Sequence, residues 1–269
     1  MAINGGDMEN DLIRVAVQGA LGKMGMQTLK AVNNSPNMKL VGAVTRQDSD
    51  QLASTFRDLP VCTSLTELIK DINVVVDFTN SAGAMSAIRV SAINHVNIVT
   101  GSTGLSKTDL EEANRLAEEY GVGIIVAPNF AIGAVLMIHL ARKVARFFDY
   151  AELNEVHHEA KIDAPSGTAL SIAEAVASGK GKDFKSVKAE KETLPGTRGG
   201  TLHGISIHSG RLPGRVAHHE LVFGSSGQTL TIRHDSINRE SFMPGVLLAI
   251  EAVTDSDGLT VGLENILEL

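Results

Sequence analysis

Cysteine is almost absent. A single thiol, Cys62, in 269 residues allows no internal disulfide and no multi-cysteine metal site, which fits a reducing cytosol and a small, buried, apolar role for that residue. Long apolar runs are missing as well: none approaches membrane-spanning length. The first twelve residues, with Asn4-Gly5-Gly6-Asp7 and Glu9-Asn10-Asp11, have neither an apolar core nor a basic start of the kind a secretory signal needs. They read as a disordered polar arm on a soluble, cytoplasmic chain. Basic charge is scarce: 24 Lys and Arg against 31 Asp and Glu give a formal net charge of −7 and a pI near 5.7. That balance speaks against nucleic acid or an anionic membrane as the main partner and for a small ligand, with room for a local cationic pocket. No internal repeat or low-complexity tract stands out. What is present is 43% hydrophobic content, enough for two modest cores, so two domains are expected.

The first of them is legible as an alternation of strands and helices. Ile13 to Val17 is a β-rich run that passes through Gly19-Ala20-Leu21-Gly22-Lys23-Met24-Gly25 into helical periodicity at Met26, Leu29, Ala31 and Val32. A strand, a glycine turn and a helix start in this order can hold a pyrophosphate on the helix N-terminus, although the spacing is Gly-x-x-Gly-x-x-Gly and not the commoner Gly-x-Gly-x-x-Gly. Further strands are expected at Leu40 to Thr45, Val74 to Phe78, Val96 to Thr100 and Gly123 to Ala127, with helices at Leu65 to Ile69, Ala84 to Asn94 and Lys107 to Tyr120. The result is an α/β, doubly wound parallel sheet (Rossmann-like), whose ligands bind beyond the carboxyl ends of the strands. Those ends carry Asp77-Phe78-Thr79, Thr100-Gly101-Ser102-Thr103-Gly104 and Ala127-Pro128-Asn129-Phe130, residues that turn sharply or donate hydrogen bonds.

Near Asn129 the pattern changes. A long helix over Ile132 to Phe148 is followed by strands at Tyr150 to His158, Leu202 to His208, Arg215 to Phe223 and Gln228 to His234, a second, β-rich α+β domain. Lys180 to Gly200 reads as a solvated loop, and Arg239 to Val253 as a closing helix interrupted or started near Pro244-Gly245. The boundaries are placed at 1–129 with 240–269 for the nucleotide domain and 130–239 for the second. His203, His208, His218, His219 and His234 are scattered over the second-domain strands, and most are expected to be structural or superficial.

The chemistry concentrates in Glu155-Val156-His157-His158-Glu159-Ala160-Lys161-Ile162-Asp163-Ala164-Pro165-Ser166-Gly167-Thr168-Ala169. Ser166 is a good N-cap, and the small residues after it let an anion reach the first-turn N–H groups of a helix. His157 and His158 have the side chains best suited to proton transfer near neutral pH, and Lys161 adds a cation. A metal is not expected, because adjacent strand residues face opposite ways and no His-Glu-x-x-His occurs. Were the chain extended, His157 and Lys161 would stand roughly 13 Å apart, so the loop must bend for both to reach one substrate.

This stretch resembles the signature of the bacterial dihydrodipicolinate reductases, also called 4-hydroxy-tetrahydrodipicolinate reductases, of the lysine and diaminopimelate pathway. The resemblance implies an NAD(P)H-dependent enzyme that delivers hydride to a cyclic, unsaturated dicarboxylate. It makes His157 the general acid, Lys161 a second proton donor or charge stabiliser, and His158, Ser166, Gly167 and Thr168 substrate contacts. The family also ends its glycine turn in Met-Gly, as Met24-Gly25 does, and lines the nicotinamide with the segments containing Gly101, Ser102, Thr103 and Ala127, Pro128, Asn129, Phe130, beside Phe78. Ser102 stands where the family usually has Thr. Many members carry an acid where this chain has Thr45, followed by Arg46; the loss of that carboxylate implies a preference for NADPH over NADH. A homotetramer built through the second domain is implied too, with no nucleic acid or membrane partner and the closing helix returning to complete the nucleotide domain. The alternatives are another two-domain NAD(P)-dependent dehydrogenase and a non-catalytic nucleotide sensor; the lack of a catalytic cysteine after a strand-helix turn disfavours an acylating semialdehyde enzyme.

Overall fold

The computed structural model describes residues 12–47 and 50–269; the expected polar arm lies outside the described residues. Its elements run β1 (Ile13–Gln18), α1 (Lys23–Asn33), β2 (Met38–Val44), α2 (Asp50–Thr55), β3 (Val61–Cys62), β4 (Val74–Asp77), α3 (Ser81–Ile93), β5 (Asn97–Thr100), α4 (Lys107–Tyr120) and β6 (Gly123–Val126). They continue with α5 (Ile132–Val144), β7 (Tyr150–His157), α6 (Gly167–Lys180), β8 (Gly200–Leu202), β9 (Ile205–Arg211), β10 (Ala217–Ser225), β11 (Gln228–Ser236), α7 (Met243–Thr254) and β12 (Gly258–Val261). The chain forms two compact units. One comprises the residues up to Phe130 together with Phe242–Leu269, the other Ala131–Ser241.

In the first unit seven strands pair in parallel in the order β12-β6-β5-β4-β1-β2-β3. The central strands have helices on both faces, so Val74, Val75, Val76 and Asp77 are all buried, as a continuous β-branched run requires. Apolar cores form around Val75, Ile88, Ile98 and Ile124 and around Val17, Leu29 and Leu52. The expected doubly wound fold is present, with local differences. Leu65 to Ile69 is not one helix but two 3-10 turns, Leu65–Glu67 and Ile69–Asp71. The short strands β3 and β12 were not expected. β3 holds only two residues, too few to show an alternation.

The second unit is a mixed sheet in the order β11-β10-β7-β9-β8. β7 and β9 run parallel, so the chain between them must cross over, and α6 makes that crossing. Helices α5 and α6 pack together over one face. Under them lie Ala151, Leu153, Leu221, Phe223, Ile205 and Ile207, the inward residues of three strands. Where one strand was expected from Leu202 to His208, the chain makes the β8–β9 hairpin. His203 and Gly204 sit at its tip with φ of 52° and 77°, the double positive-φ geometry of a tight hairpin turn. The expected helix over Ile132 to Phe148 ends at Val144 and closes in a 3-10 turn. The 180–200 loop is mostly exposed as expected, but Phe184 is buried against Phe223.

Candidate active site

The first unit carries a cavity of about 730 Å³ at the carboxyl ends of its strands, with Gln18, Gly19, Leu21, Gly22, Thr45, Arg46, Phe78 and Thr79 among its lining. The glycine turn shapes one wall. Gly19 takes φ 76°, and a Cβ there would lie 2.6 Å from the Phe78 carbonyl oxygen. A Cβ at Gly25 would lie 2.2 Å from the Gly19 carbonyl, so this third glycine seats α1 against the turn. Gly22 caps α1 with no side-chain acceptor, and no acidic residue stands in the first turn. The backbone N–H groups of Lys23 and Met24 have no hydrogen-bond partner among the described residues. An uncapped helix start beside an open cavity suits a phosphate, so these residues fit a dinucleotide. Ala20 lies behind the turn, fully buried, with its amide on Val44 O.

The other expected cofactor residues fall into two groups. Phe78 and Phe130 meet edge to face at 5.7 Å, and a Cβ on Gly101 would come within 2.1 Å of the Phe78 ring. Gly101, Phe78 and Phe130 thus pack together, Phe78 on the cavity wall and Phe130 buried behind it, with Ala127 also buried and Thr103 and Pro128 exposed nearby in sequence. Asn129 is half-buried. Ser102 plays a different part. Its hydroxyl donates to Asp77 Oδ2 at 2.6 Å and accepts from the Thr79 amide at 2.9 Å. Thr100 also donates to Asp77 Oδ2 at 2.8 Å, while Thr79 Oγ1 and Gln18 Nε2 donate to Oδ1 at 2.7 and 3.1 Å. The fully buried Asp77 therefore ties together the ends of β1, β4 and β5. It was read from sequence only as part of a turn. Thr45 is buried with its hydroxyl donating to the Gln47 carbonyl, while Arg46 and Gln47 are exposed on the cavity rim. Thr79 lines the cavity at its strand end, and Gln18, Gln47, Thr63, Ser64, Asn80 and Ser86 line it without having been expected.

The second unit builds its site by strand alternation. Along β7 the odd-numbered residues face the helices: Ala151 and Leu153 in the apolar core, then Glu155 and His157. Cross-strand register sets His219 and Ser209 opposite Glu155, and Ala217 and Arg211 opposite His157. The same sheet face thus changes from apolar to polar over two residues. The Glu155 carboxylate accepts from His157 Nδ1, from Arg211 Nη2 at 2.9 Å and Nη1 at 3.1 Å, and from the Ser166 amide at 3.3 Å. Burial pushes this carboxyl up, but hydrogen bonds from Arg211, Ser209 and His157 outweigh it and hold it below the ordinary range.

His157 is itself 6% exposed. Burial lowers its pKa, the bond and charge of Glu155 raise it, Lys161 and Arg211 lower it, and the net is a value below the usual 6.5. His219 stacks edge to face on His157 at 5.3 Å and meets the Ser166 hydroxyl at 3.2 Å. Burial is the main cause that pushes it down to about 4, so it is neutral near pH 7. Most of the scattered histidines were expected to be structural; His219 instead joins the site, with His234 opposite it on β11. As alternation requires, His218 does not join it and pairs with Asp235 at 2.6 Å.

After His157 the chain bends as anticipated, the Lys161 amide donating back to the His158 carbonyl at 3.1 Å. Ser166 caps α6 by accepting from the Ala169 amide at 3.1 Å. The Thr168 amide has no hydrogen-bond partner among the described residues. Lys161 Nζ meets Asp163 Oδ1 at 2.7 Å, and the Asp163 carboxyl is held low first by this contact and further by the Gly167 amide. An internal carboxylate therefore sits on two of the donors expected to serve a substrate carboxylate. His158 is half-buried just beyond the strand. Glu155, His157 and His219 each offer a metal-ligand atom within 4.8 Å of the others. Arg211 already supplies the positive charge at this spot and engages both Glu155 oxygens, so a divalent cation would meet repulsion and competition.

A parallel sheet with a glycine turn and an open cavity at its strand ends, beside a second unit with a buried carboxylate and histidine cluster, has the build of a nicotinamide-dependent oxidoreductase. Solved dehydrogenases of distant sequence share the fold, such as scyllo-inositol dehydrogenase from Lactobacillus casei at 12% identity and TM-score 0.62 over 96% of this chain and 93% of that one. The chain belongs to the dihydrodipicolinate reductase family: the models for the N-terminus and C-terminus of dihydrodipicolinate reductase match residues 13–130 and 133–267. It is 43% identical to a 4-hydroxy-tetrahydrodipicolinate reductase from Dehalococcoides mccartyi over 96% of this chain and 99% of that protein. With the Bacillus subtilis reductase the identity is 41% over 97% of this chain and all of the relative. A solved, dipicolinate-bound dihydrodipicolinate reductase from Paenisporosarcina sp. TG-14 superposes with TM-score 0.86 at 42% identity, covering 95% of this chain and 99% of that one.

Proposed function

We propose that this chain reduces 4-hydroxy-tetrahydrodipicolinate (dihydrodipicolinate) to tetrahydrodipicolinate with NAD(P)H, in lysine and diaminopimelate biosynthesis. The observation that carries the reading is the buried His157 beside a bent loop that leads into the start of α6, in a chain matched along its length by reductases of that name. The first unit binds the dinucleotide through Gly19 to Met24, Thr45, Arg46 and the packed Phe78, Gly101 and Phe130. Bound there, the cofactor supplies a hydride. The second unit holds the dicarboxylate: Lys161, the Gly167 and Thr168 amides and Ser166 take one carboxylate, and His158 contacts the substrate. His157 donates the proton. These roles need a ligand with two negative charges and a basic atom, which dipicolinate, the ligand of the solved relative, resembles. The test is NADPH oxidation that depends on added substrate, generated in place because it is unstable. Cofactor binding without substrate-dependent turnover would favour a nucleotide sensor.

NADPH is the preferred cofactor in this reading. Thr45 presents no carboxylate to repel a 2′-phosphate, and Arg46 stands exposed on the cavity rim. The expected preference over NADH is about tenfold, on the order of 1.4 kcal/mol. Arg46→Ala is expected to abolish it when catalytic efficiency is compared for both cofactors. A wild type that favours NADH, or a variant with unchanged preference, would remove Thr45 and Arg46 from phosphate recognition.

The assembly proposed is a homotetramer built through the second unit, in the cytoplasm. β11 is an edge strand whose first four residues are exposed, Leu230 among them, and an uncovered edge of this length invites pairing with another chain. Light scattering should give four times the 28.5 kDa chain mass. A monomer at micromolar concentration would end the idea. Among the described residues no helix is long and apolar enough to cross a membrane.

A further inference from the structure

We infer that Glu155, clamped by Arg211, is the positioning residue of the site: it dictates which nitrogen of His157 carries the transferable proton and fixes the bend of the substrate loop. The inference rests on the reading of His157 as the acid. The geometry of the clamp is explicit. Glu155 has a fully buried side chain two residues before His157, on the same sheet face. One of its oxygens serves His157 Nδ1 and Arg211 Nη1, the other Arg211 Nη2 and the Ser166 amide. Arg211 Nη2 also donates to the Asp163 carbonyl at 2.6 Å. One carboxylate–guanidinium pair therefore grips the histidine, the loop at Asp163 and the N-cap of α6 at once.

Two consequences follow from elementary chemistry. A carboxylate accepts and does not donate, so the neutral His157 must keep its proton on Nδ1 and leave Nε2 as a bare lone pair. When the ring is cationic, the proton it gives up therefore leaves from Nε2, and the ring returns to the tautomer that Glu155 already holds. No rotation or tautomer exchange is needed between turnovers. The second consequence is electrostatic. The charged or titratable groups facing His157 are Glu155 on its own strand, Arg211 on β9, His219 on β10 with His234 beyond it on β11, and Lys161 from the loop. Burial, Lys161 and Arg211 all disfavour the imidazolium, and Glu155 is the group that favours it. Remove that charge and the acid form is lost at a lower pH.

The test begins with the wild-type protein. Nitrogen-15 NMR of the histidine rings, with His157 assigned by its loss in His157→Gln, should show neutral His157 protonated on Nδ1; predominance of the Nε2–H form would overturn the inference. Glu155→Gln then removes the charge while leaving an acceptor for Arg211 and Ser166. The His157 titration should move down by about one pH unit or more, and the alkaline fall of kcat should move with it, with the KM for cofactor unchanged. A folded Glu155→Gln variant whose His157 titrates as in wild type would equally overturn it; if that variant does not fold, the wild-type tautomer still decides. A residue needed only for packing would lower stability and leave the pH profile in place. Full turnover in His157→Gln, alongside an Nδ1–H tautomer in the wild type, would instead refute the acid assignment on which the reaction rests, a separate outcome.

Discussion

Replacing His157 by glutamine is expected to lower kcat by about two to four orders of magnitude, the usual contribution of general acid catalysis. Glutamine is close in reach and its amide can still donate to Glu155, so the loop anchored by that carboxylate should persist. Its own protons are far too weakly acidic to replace an imidazolium. NADPH affinity should be unchanged, because the residues lining the cavity proposed for the dinucleotide all belong to the other unit. Steady-state kinetics together with NADPH binding by fluorescence checks both halves. Turnover near wild type would remove His157 from the mechanism, and a large loss of NADPH binding would mean that the substitution had disturbed the fold.

Lys161→Ala should damage binding and rate together. The ammonium is a partly buried point charge, with 22% of its side chain exposed, and a charge-assisted hydrogen bond to a carboxylate contributes about 1.5–3 kcal/mol, or roughly ten- to a hundredfold in affinity. A substrate carboxylate keeps its charge as hydride is transferred, so the contact persists into the transition state. If Lys161 also helps deliver a proton, the rate suffers beyond the binding term. Asp163 shares these donors, since its carboxylate meets Lys161 Nζ and is held low by the Gly167 amide. A substrate carboxylate on Lys161 would compete with Asp163, and part of the gross binding energy would go into that exchange. The expected result is a fall of about a hundredfold or more in kcat/KM, with dipicolinate binding weakened at least tenfold. A variant changed only in cofactor affinity would show that Lys161 does not touch the substrate.

Local signals carried much of the structure. Helix α4 runs from Lys107 to Tyr120 as its periodicity indicates, because Ser106 and Asp109 form a capping box and Gly121 ends it at φ 60°. Ser166 caps α6 for the same local reason. The turn at His203 and Gly204 was missed because a histidine at positive φ gives little warning in sequence. Ser102 illustrates the limit for function. The resemblance put its segment beside the nicotinamide, whereas only the fold shows its hydroxyl donating to Asp77, 25 residues earlier in the chain.

By itself, the sequence determined the alternation of strands and helices, the glycine turn, the helix starts and the proximity of His157, Lys161 and Ser166, since each depends on residues a few positions apart. Period-two alternation also placed Glu155 and His157 on one face of β7. What it did not contain was register. Only the pairing of β7 with β9 and β10 set Arg211 across from His157 and His219 across from Glu155. A shift of one residue would have turned both outward. Tertiary structure therefore decided the protonation of the site: burial under α6 drives His219 toward neutrality, while the Glu155 carboxylate, kept charged by a guanidinium 56 residues away, supports the imidazolium of His157.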